Sequence, residues 1–279
     1  MTGPSRPGSA VPEPELVATL LALAVELGEA AAALLAAGRG AEAAGWVTGT
    51  KSSPTDHVTE VDRASEQLIV EGIRRGRPDD GILGEEGAAR EGTSGVRWII
   101  DPLDGTTNFV YDLPAYAVSI GVEHEGRTVV GVVVDAARRE TFTATVGGGA
   151  WLGTTQLRCG TGPDLGLALV GTGFSYDAER RRHQGAVVAA LLPEIRDLRR
   201  VGAAAIDLCW VACGRLDAFY ERGLQPWDLA AGALIAAEAG AEVSDLAAGP
   251  PSGVFTLAAA PPLGARLRTR LRELGAAGS

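Results

Sequence analysis

The stretch that decides the fold runs from Trp98 to Pro114 and reads WIIDPLDGTTNFVYDLP. An apolar run ends on Asp101 and Asp104, which lie three residues apart, and Gly105 follows with two threonines. A single carboxylate after a strand is usually a turn residue or a helix cap. Two carboxylates before a glycine turn favour a strand that ends in a site for a ligand.

Further carboxylates occupy similar places along the chain. Glu85 and Glu86 follow a short strand pattern, Asp228 opens a helix pattern, and Asp62 and Asp56 lie around a polar loop. Carboxylates that converge at strand ends repel one another unless a hard cation compensates them. Mg²⁺ suits such a set because it takes oxygen ligands and binds substrate phosphate. Two such ions can activate a water and stabilise the leaving oxygen of a phosphate ester.

The DGTTN segment supplies a candidate phosphate site. Gly105 lets the backbone approach closely, and the amides of Gly105 and Thr106 at a helix start can bind phosphate oxygens. The histidines (His57, His124 and His183) lie in polar contexts, and no G-x-S-x-G or Cys–His arrangement is present. The residues therefore favour phosphoryl transfer to a positioned water.

The composition is ordinary for a globular protein. The chain has 279 residues, 46% of them hydrophobic and 22% charged, enough for one large domain or two packed halves. Its net charge of −10 argues against nucleic acid as a general partner. Cys159, Cys209 and Cys213 have no framework spacing, so we expect reduced thiols, packed as small apolar side chains, in a cytoplasmic protein.

The N-terminal region is predicted to contain a tail and a long helix. Residues 1–14 are rich in Pro, Gly and Ser, which is typical of a disordered tail. The apolar run from Leu16 to Ala37 could suggest a membrane span, but Glu26 and Glu29 near its middle would be costly in lipid. We therefore expect no membrane contact and a helix from Pro14 to Gly38 that packs on the domain.

Residues 15–150 are predicted to form an α+β half that carries the metal-binding segments. A helix runs from Asp62 to Pro78, and strands occupy Gly81–Gly84 and Val96–Ile100. A β-meander follows, with turns at Glu125-Gly126 and Ala136-Ala137. The residues between 45 and 62 are rich in Thr, Ser, Gly and Pro and are predicted to form a loop.

Residues 151–279 are predicted to form an α/β half, because strand and helix patterns alternate, and Asp228 of this half would complete the carboxylate site. The strands are expected at 167–174, 196–202, 216–223 and 241–246, and the helices at 179–195, 203–215, 227–240 and 261–275. The GTG segment at 171–173 lacks the third glycine of a dinucleotide fingerprint. We therefore interpret it as a strand that leads into a loop.

The segments GEE, DPLDGTTNF and WDLAAGALIAAEAG, in this order between about Lys51 and Gly240, resemble the signature motifs of the inositol monophosphatase family. VGTGFSYD, RRVGAAAIDLCWVACGRLDAFYE and GLQPWD resemble its bacterial inositol-1-monophosphatase branch. The resemblance implies a layered α-β-α-β-α sandwich, the sugar phosphatase fold, with the metals where the halves meet. The helix that starts at Trp227 should then aim its positive N-terminus at the site.

The resemblance also implies two or three Mg²⁺ ions. Glu85, Asp101 and the carbonyl of Leu103 would hold the first ion. Asp101 would bridge to a second ion that Asp104 and Asp228 also hold. An inhibitory Li⁺ could occupy this second site after turnover, so lithium sensitivity is expected.

The same resemblance assigns the catalytic and substrate-binding residues. Thr106, hydrogen-bonded to Asp62, would orient and help to deprotonate the attacking water together with Glu85. Lys51 would lie on a mobile loop beside the metals. The implied substrate-binding residues are Asp104, Gly105, Thr106, Ala204, Glu221 and Asp228.

The substrate implied is a small phosphorylated polyol, and we expect myo-inositol 1-phosphate because Glu221 matches the residue that binds inositol hydroxyls. The family often has Thr or Ser where this chain has Ala203, which leaves the substrate open on the sugar side. Fructose 1,6-bisphosphate, histidinol phosphate and adenosine 3′,5′-bisphosphate are the alternatives, and Thr107 disfavours the last two.

Two further expectations come from relatives in the family. A homodimer is one of them. The other is a non-enzymatic regulatory role, because bacterial relatives are reported to bind transcription machinery. The net charge of −10 and the intact carboxylate set weigh against regulation as the sole role.

Overall fold

The structure is a computed structural model that describes residues 12–38, 47–50 and 57–278. This part of the chain folds as the predicted α-β-α-β-α sandwich, with one helical layer between two sheets and one outside each. Lys51, Asp56 and most of the predicted tail lie outside the described residues. The division into halves at residue 150 stays a prediction.

The helices of the described chain are α1 (Pro14–Gly38), α2 (Glu60–Gly76), α3 (Thr106–Val110), α4 (Ala178–Leu191), α5 (Ala204–Ala212), α6 (Pro226–Glu238) and α7 (Leu263–Glu273). The earlier strands are β1 (Val47–Thr50), β2 (His57–Thr59), β3 (Gly81–Gly84), β4 (Ala89–Arg90), β5 (Val96–Asp104), β6 (Ala117–His124), β7 (Arg127–Asp135), β8 (Glu140–Thr145), β9 (Gly149–Leu152) and β10 (Thr155–Gln156). The later strands are β11 (Leu169–Thr172), β12 (Asp197–Arg199), β13 (Ala218–Glu221), β14 (Glu242–Ser244) and β15 (Thr256–Ala259).

The first sheet has eight strands in the order β10-β9-β8-β7-β6-β5-β3-β4. Its neighbours are antiparallel except for β3 and β5, which run parallel. The predicted β-meander is confirmed as β6 to β9, and Glu125 and Gly126 turn between β6 and β7 with positive φ angles. Val118 and Ile120 of β6 and Val132 and Val134 of β7 form one core with α1 and α2, which both pack on this face of the sheet. Val133 and the buried residues of β8 and β9 belong to the core on the other face.

Helix α1 has the bounds that the sequence predicts. By length and composition alone it could cross a membrane, since its mean hydropathy reaches 1.9. In the structure, however, Leu20, Leu27 and Leu35 are buried in the core of the first half. The structure is therefore consistent with a helix that packs on the sheet rather than with a membrane span.

The second sheet has five strands in the order β12-β11-β13-β15-β14. Strands β12, β11 and β13 run parallel, whereas β15 is antiparallel to both of its neighbours. Helices α4 and α7 cover its outer face with Val187, Leu191, Leu267 and Leu271. The predicted alternation of strands and helices is confirmed, but the sequence analysis missed β15.

Helices α5 and α6 fill the layer between the sheets. Two glycines let α6 approach the first sheet closely. A Cβ atom on Gly121 of β6 would stand 2.6 Å from Cβ of Ala230, and one on Gly131 of β7 would stand 2.7 Å from the carbonyl oxygen of Ala231. Because neither glycine has a side chain, α6 can pack in direct contact with the backbone of β6 and β7.

Two local predictions were wrong. Strand β5 does not end at Ile100 but continues to Asp104, because a bulge absorbs Pro102. The predicted loop at 45–62 contains an antiparallel pair, β1 and β2. The β-branched residues in the sequences of β1 and β2 favour strand structure, and this preference prevailed over the turn preference of the neighbouring Gly, Ser and Pro residues.

Candidate active site

The end of β5 places both carboxylates of the opening stretch in one cavity. Asp101 pairs with Ser119 of β6 and Asp104 pairs with Ala117, so β5 carries one extra residue between them. In a regular strand, residues three apart point to opposite faces. The bulge corrects this, and Pro102 suits it because proline has no amide hydrogen to donate to the sheet. Asp101 and Asp104 therefore both line the same cavity.

Glu85 reaches this cavity because β3 and β5 are parallel neighbours. Gly84 pairs with Ile100, and the Glu85 amide donates to the Ile100 carbonyl at 3.1 Å. Glu85 therefore follows β3 at the level where Asp101 follows Ile100. The carboxyl ends of the two strands place the side chains next to each other, and Glu85 lines the cavity with Asp101.

Asp228 joins the cavity from the first turn of α6. Its Oδ2 accepts a hydrogen bond from the Gln225 amide at 2.7 Å, so it caps its own helix. The Ser119 hydroxyl donates to the carbonyl of Trp227 at 3.2 Å. Since Ser119 is the cross-strand partner of Asp101, this bond places the start of α6 directly beside Asp101.

Asp104 connects the two halves through α5. Its Oδ2 accepts from the amide of Ala205 at 2.7 Å, in the first turn of that helix. Ala204 lies beside this contact and lines the cavity. A carboxylate at a helix N-terminus satisfies an otherwise unpaired amide and interacts favourably with the helix dipole.

The Thr106 hydroxyl lies within 3.1 Å of two acceptors, Oδ1 of Asp62 and the carbonyl of Leu103. The bond to Asp62 is the one that the sequence analysis expected. Gly105, just before, has a φ of +91° and begins α3. A Cβ atom there would stand 2.8 Å from the carbonyl oxygen of Ala115, so only glycine allows this turn without a clash.

Hydrogen bonds from the buried face of α2 hold the segments that carry the site. Of the α2 residues that make these bonds, the sequence analysis identified only Asp62. Ser65 donates to the Pro102 carbonyl at 2.8 Å. Glu66 accepts from the amides of Glu86 and Ala88 at 3.0 and 3.1 Å and so fixes the turn after β3. The spacing of Asp62 and Glu66, four residues apart on one face of an amphipathic helix, was a signal that could have identified Glu66.

The carboxylates destabilise one another's charged forms. Burial is the main reason that the pKa of Asp101 lies well above its usual range, and repulsion from Glu85, Asp104 and Asp228 adds to it. Burial also raises the pKa of Asp104 to about 7, against the opposing effect of the Ala205 amide. The pKa of Asp228 is raised well above its usual range by burial and then by Asp104. Such a site stabilises bound positive charge.

The donor set fits a hard divalent cation. It consists of carboxylate oxygens and the Leu103 carbonyl, which can use its second lone pair while it accepts from Thr106. Within the described residues, no three acidic, histidine or cysteine side chains already converge as a metal-binding group. Oδ2 of Asp104 and Oδ2 of Asp228 accept hydrogen bonds from the amides of Ala205 and Gln225.

Glu221 lies at the end of β13 on the second-half wall of the cavity. Its carboxylate rests on Gly173, where a Cβ atom would stand 2.0 Å from Oε2. Burial raises the pKa of Glu221 to about 7, an effect that Arg200 opposes. The buried Asp207 of α5 has a similar relation to Gly171, with 2.9 Å between Oδ1 and the Cβ position. The GTG segment therefore provides space for two carboxylates.

The cavity has a volume of about 950 Å³ and is lined by both halves. All the predicted metal ligands line it, as do Gly105, Thr106, Ala204 and Glu221. Asp62 lies behind it, bonded to Thr106, and Lys51 lies outside the described residues. The sequence analysis missed the arginines of the wall, Arg63, Arg180, Arg200 and Arg222.

The cysteines and His183 lie apart from this cavity. Cys159 and Cys209 are buried and Cys213 is half-buried, all as free thiols, and burial raises the pKa of each. Nε2 of His183 lies 2.9 Å from the Gly275 carbonyl.

The sequence was compared with known proteins. Residues 16–275 match the model of the inositol monophosphatase family. The chain is 49% identical over 234 residues to the inositol-1-monophosphatase of Mycobacterium bovis, which covers 80% of each protein. It is 47% identical over 205 residues to Nus factor SuhB of Escherichia coli K12, which covers 73% of this chain and 77% of that protein.

The fold was compared with solved structures. The crystal structure of the extragenic suppressor protein suhB from Bartonella henselae matches with a TM-score of 0.87 and 32% sequence identity. The match covers 91% of this chain and 99% of that one. Sequence and fold thus agree over nearly the whole described chain. The protein therefore belongs to the inositol monophosphatase family, and the carboxylate-lined cavity is its candidate phosphatase site.

Proposed function

We propose that the protein hydrolyses a phosphate monoester with Mg²⁺ as its cofactor, and that myo-inositol 1-phosphate is the substrate, giving inositol and phosphate. The observation that carries this proposal is one cavity lined by four carboxylates, Glu85 after β3, Asp101 and Asp104 of β5 and Asp228 of α6, together with Thr106, whose hydroxyl lies 3.1 Å from Asp62. Membership of the family and a relative named inositol-1-monophosphatase support it.

The chain offers two overlapping sets of metal ligands. Glu85, Asp101 and the Leu103 carbonyl would hold one ion, and Asp101, Asp104 and Asp228 would hold another. When bound, Mg²⁺ lowers the pKa of a coordinated water and neutralises phosphate charge. The amides of Gly105 and Thr106 would bind the phosphate oxygens at the turn before α3.

Thr106 is suited to orient the attacking water. Its hydroxyl has one hydrogen, which it donates to Asp62 or to the Leu103 carbonyl, both 3.1 Å away. A lone pair of the hydroxyl oxygen therefore remains to accept a hydrogen bond from water. Glu85, on the adjacent cavity wall, would accept the proton that the water loses.

Glu221 would bind the polyol part of the substrate. Its carboxylate is fixed against Gly173 on the wall that faces the cavity. A carboxylate in this position accepts hydrogen bonds from vicinal hydroxyls of a ring. Ala204, next to the amide that binds Asp104, would make a backbone contact to the ring.

Phosphate release from a panel of substrates, with and without Mg²⁺, tests the proposal. The panel contains myo-inositol 1-phosphate, fructose 1,6-bisphosphate, histidinol phosphate and adenosine 3′,5′-bisphosphate. We expect Mg²⁺-dependent release with the highest kcat/KM for the inositol ester. Equal release after exhaustive chelation would contradict the role of the carboxylates, and a higher kcat/KM for another ester would correct the substrate.

A regulatory binding role is the second candidate, favoured by the 47% identity to a protein named Nus factor SuhB. Tagged wild-type protein and its Asp101→Asn variant would serve as baits in one bacterial lysate. If both retain the same transcription proteins while only the wild type releases phosphate, the two functions coexist. If neither bait retains a transcription protein, the regulatory role is excluded.

We also propose a cytoplasmic homodimer, as the resemblance to the family implies. Sedimentation velocity at micromolar concentration tests the assembly, and a single monomeric species would contradict it. Fractionation of cells that express the full chain tests the compartment, and we expect the protein in the soluble fraction.

A further inference from the structure

A buried side chain of α3 connects this helix to the segment that leads into α5. Asn108 is buried and is not one of the residues that line the cavity. Its Nδ2 donates to the carbonyl of Ala115 at 2.7 Å and to the carbonyl of Val201 at 2.9 Å. Asn108 therefore binds both the chain that follows α3 and the chain that precedes α5, although Val201 is 93 residues away in the sequence.

The two acceptors determine the orientation of the Asn108 amide. Carbonyl oxygens only accept hydrogen bonds, so the side-chain nitrogen must face them, and both of its hydrogens are used. An ionised aspartate has nearly the same shape but no hydrogen to donate. The asparagine thus satisfies two backbone acceptors that an ionised carboxylate would leave without a partner.

The phosphate turn, Gly105 and Thr106, packs against the same two segments. The position of a Cβ atom on Gly105 lies 2.8 Å from the carbonyl oxygen of Ala115. The same position lies 3.3 Å from Cβ of Ala203 and 3.4 Å from the carbonyl oxygen of Gly202. The hydrogen bonds of Asn108 therefore hold the segments on which the phosphate turn rests.

The segment 201–203 also places the start of α5. Ala203 is the N-cap residue of this helix, and Ala204, which follows, lines the cavity. Ala204 is the proposed backbone contact to the ring of the polyol. The bond from Asn108 to Val201 therefore connects the phosphate turn with the side of the cavity that would bind the polyol.

Asp104 connects the same regions through the amide of Ala205, but Asp104 is also a proposed metal ligand. Its carboxylate would then bind a cation as well as the amide. Asn108 carries no charge, and both of its Nδ2 hydrogens are used within the protein. Its bond to Val201 therefore does not depend on metal coordination.

We propose that Asn108 is a positioning residue that fixes the start of α5 relative to the phosphate turn, so that one substrate molecule is bound at its phosphate and at its polyol together. Binding energy from the polyol assists the reaction only if both ends are held in the productive geometry, and a misplacement of about 1 Å can cost about 100-fold in rate. The proposal rests on the proposed hydrolysis, and it deepens that function by assigning a residue on which recognition of the polyol depends.

Two esters that differ in the polyol test this role. Methyl phosphate has the monoester group but no polyol, so only myo-inositol 1-phosphate can use both sides of the cavity. For the wild type we expect kcat/KM to be about tenfold or more higher for the inositol ester. Asn108→Ala should reduce this ratio about tenfold, because neither carbonyl is held. Asn108→Ser, whose shorter side chain has one hydrogen to donate, should also reduce the ratio, and it gives the result if the alanine variant does not fold.

Ser244→Ala is the matched control. Ser244 is also buried, in β14, and its hydroxyl accepts hydrogen bonds from Arg268 of α7 at 3.0 and 3.3 Å. Neither residue lines the cavity, so this variant loses buried hydrogen bonds away from the site. It should lower the thermal midpoint and leave the ratio of the two esters unchanged.

Three kinetic results would overturn the positioning role. One is a wild-type ratio near one. Another is an unchanged ratio in a folded Asn108 variant. The third is an equal loss of kcat/KM for both esters, because that result would mean general damage to the site.

Failure of the hydrolysis is distinguished from failure of the positioning role. If the wild type hydrolyses the esters but the Asn108 variants keep its ratio, the function stands and the positioning role is wrong. If the wild type hydrolyses neither ester, the proposed function fails, and titration calorimetry with the same esters and Mg²⁺ tests the role. The wild type should then bind the inositol ester more tightly than methyl phosphate, and Asn108→Ala should remove this difference. Equal differences in both proteins would overturn the role.

Discussion

The carboxylate of Glu221 lies over Gly173 so closely that a Cβ atom at residue 173 would stand 2.0 Å from its Oε2. Because Gly173 has no side chain, the Glu221 carboxylate, which we propose binds the polyol, can occupy this position. The relation also explains a glycine pattern that, from the sequence alone, suggests only a strand that leads into a loop.

Gly173→Ala should therefore displace Glu221 and weaken substrate binding. We expect kcat/KM for myo-inositol 1-phosphate to fall about tenfold or more, mainly through KM, because a hydrogen bond to a charged group contributes about 1.5–3 kcal/mol. Steady-state kinetics give the result. Gly185→Ala is the control, because a Cβ atom there meets nothing within 4 Å. An unchanged KM in Gly173→Ala would show that Glu221 does not bind the substrate.

Asp101→Asn should remove most activity without unfolding the protein. Asp101 belongs to both proposed ligand sets, and loss of such a group costs about 100-fold or more in kcat. The asparagine keeps an oxygen for the Leu103 amide, which Asp101 Oδ1 now binds at 3.0 Å, and it removes repulsion from Glu85. The thermal midpoint in chelator should not fall. A variant with near-wild-type turnover would contradict the metal assignment.

Thr106→Ala and Thr106→Ser form a pair that tests the role of the hydroxyl. Removal of the oxygen that orients water should reduce kcat about 100-fold, the usual scale of assisted proton transfer. Serine retains the hydroxyl and its two acceptors, so kcat should stay within about tenfold of the wild type. Single-turnover rates measure the chemical step directly. Equal rates in both variants would contradict the role of the hydroxyl.

Chelation of the metal and inhibition by lithium test the carboxylate cluster as a whole. Exhaustive chelation should abolish phosphate release, and added Mg²⁺ should restore it, because the crowded carboxylates need a compensating charge. Rising LiCl at fixed Mg²⁺ should inhibit, whereas the same concentration of NaCl should not. Activity that is insensitive to LiCl would count against the proposed second ion site.

Gly131→Ala should destabilise the fold, because its Cβ atom would stand 2.7 Å from the Ala231 carbonyl oxygen in α6. Forcing extra volume into a close contact costs about 1–3 kcal/mol. The free energy of unfolding, measured in urea, gives the size of the loss. Gly185→Ala should instead stabilise by about 0.5–1 kcal/mol, because it replaces a glycine inside a helix. No loss in Gly131→Ala would show that α6 can move away at little cost.

Regular elements could be predicted where short-range patterns determine them. The bounds of α1 and β3 agree with the sequence analysis, because Pro14 and Gly38 bound the long apolar run of α1 and Gly81 and Gly84 bound the short apolar segment of β3. Strand β15 could not be found this way. Its sequence, TLAA, has weak strand preference, and it forms a strand because β13 and β14 pair with it from both sides.

The site could be predicted as a set of residues but not as a geometry. The carboxylates stood out because each follows a strand or opens a helix, and the structure brings Glu85, Asp101, Asp104 and Asp228 to one cavity. The support by Ser65 and Glu66 depends on contacts with residues 37, 20 and 22 positions away. The spacing of Asp62 and Glu66 indicates a shared face of α2, but no local pattern specifies which distant residues that face contacts.

The three hydrogen-bonding residues of α2 have a consequence for the order of events in turnover. One buried face of α2 holds three segments of the site. Asp62 is bonded to Thr106 of α3, Ser65 to the β5 bulge, and Glu66 to the turn after β3. We therefore expect these segments to move together. On the opposite wall, Tyr176, Asp177, Ala178 and Arg180 are exposed and line the cavity. We therefore expect the carboxylate end of the cavity to stay rigid during turnover and the products to leave past the exposed residues 176–180.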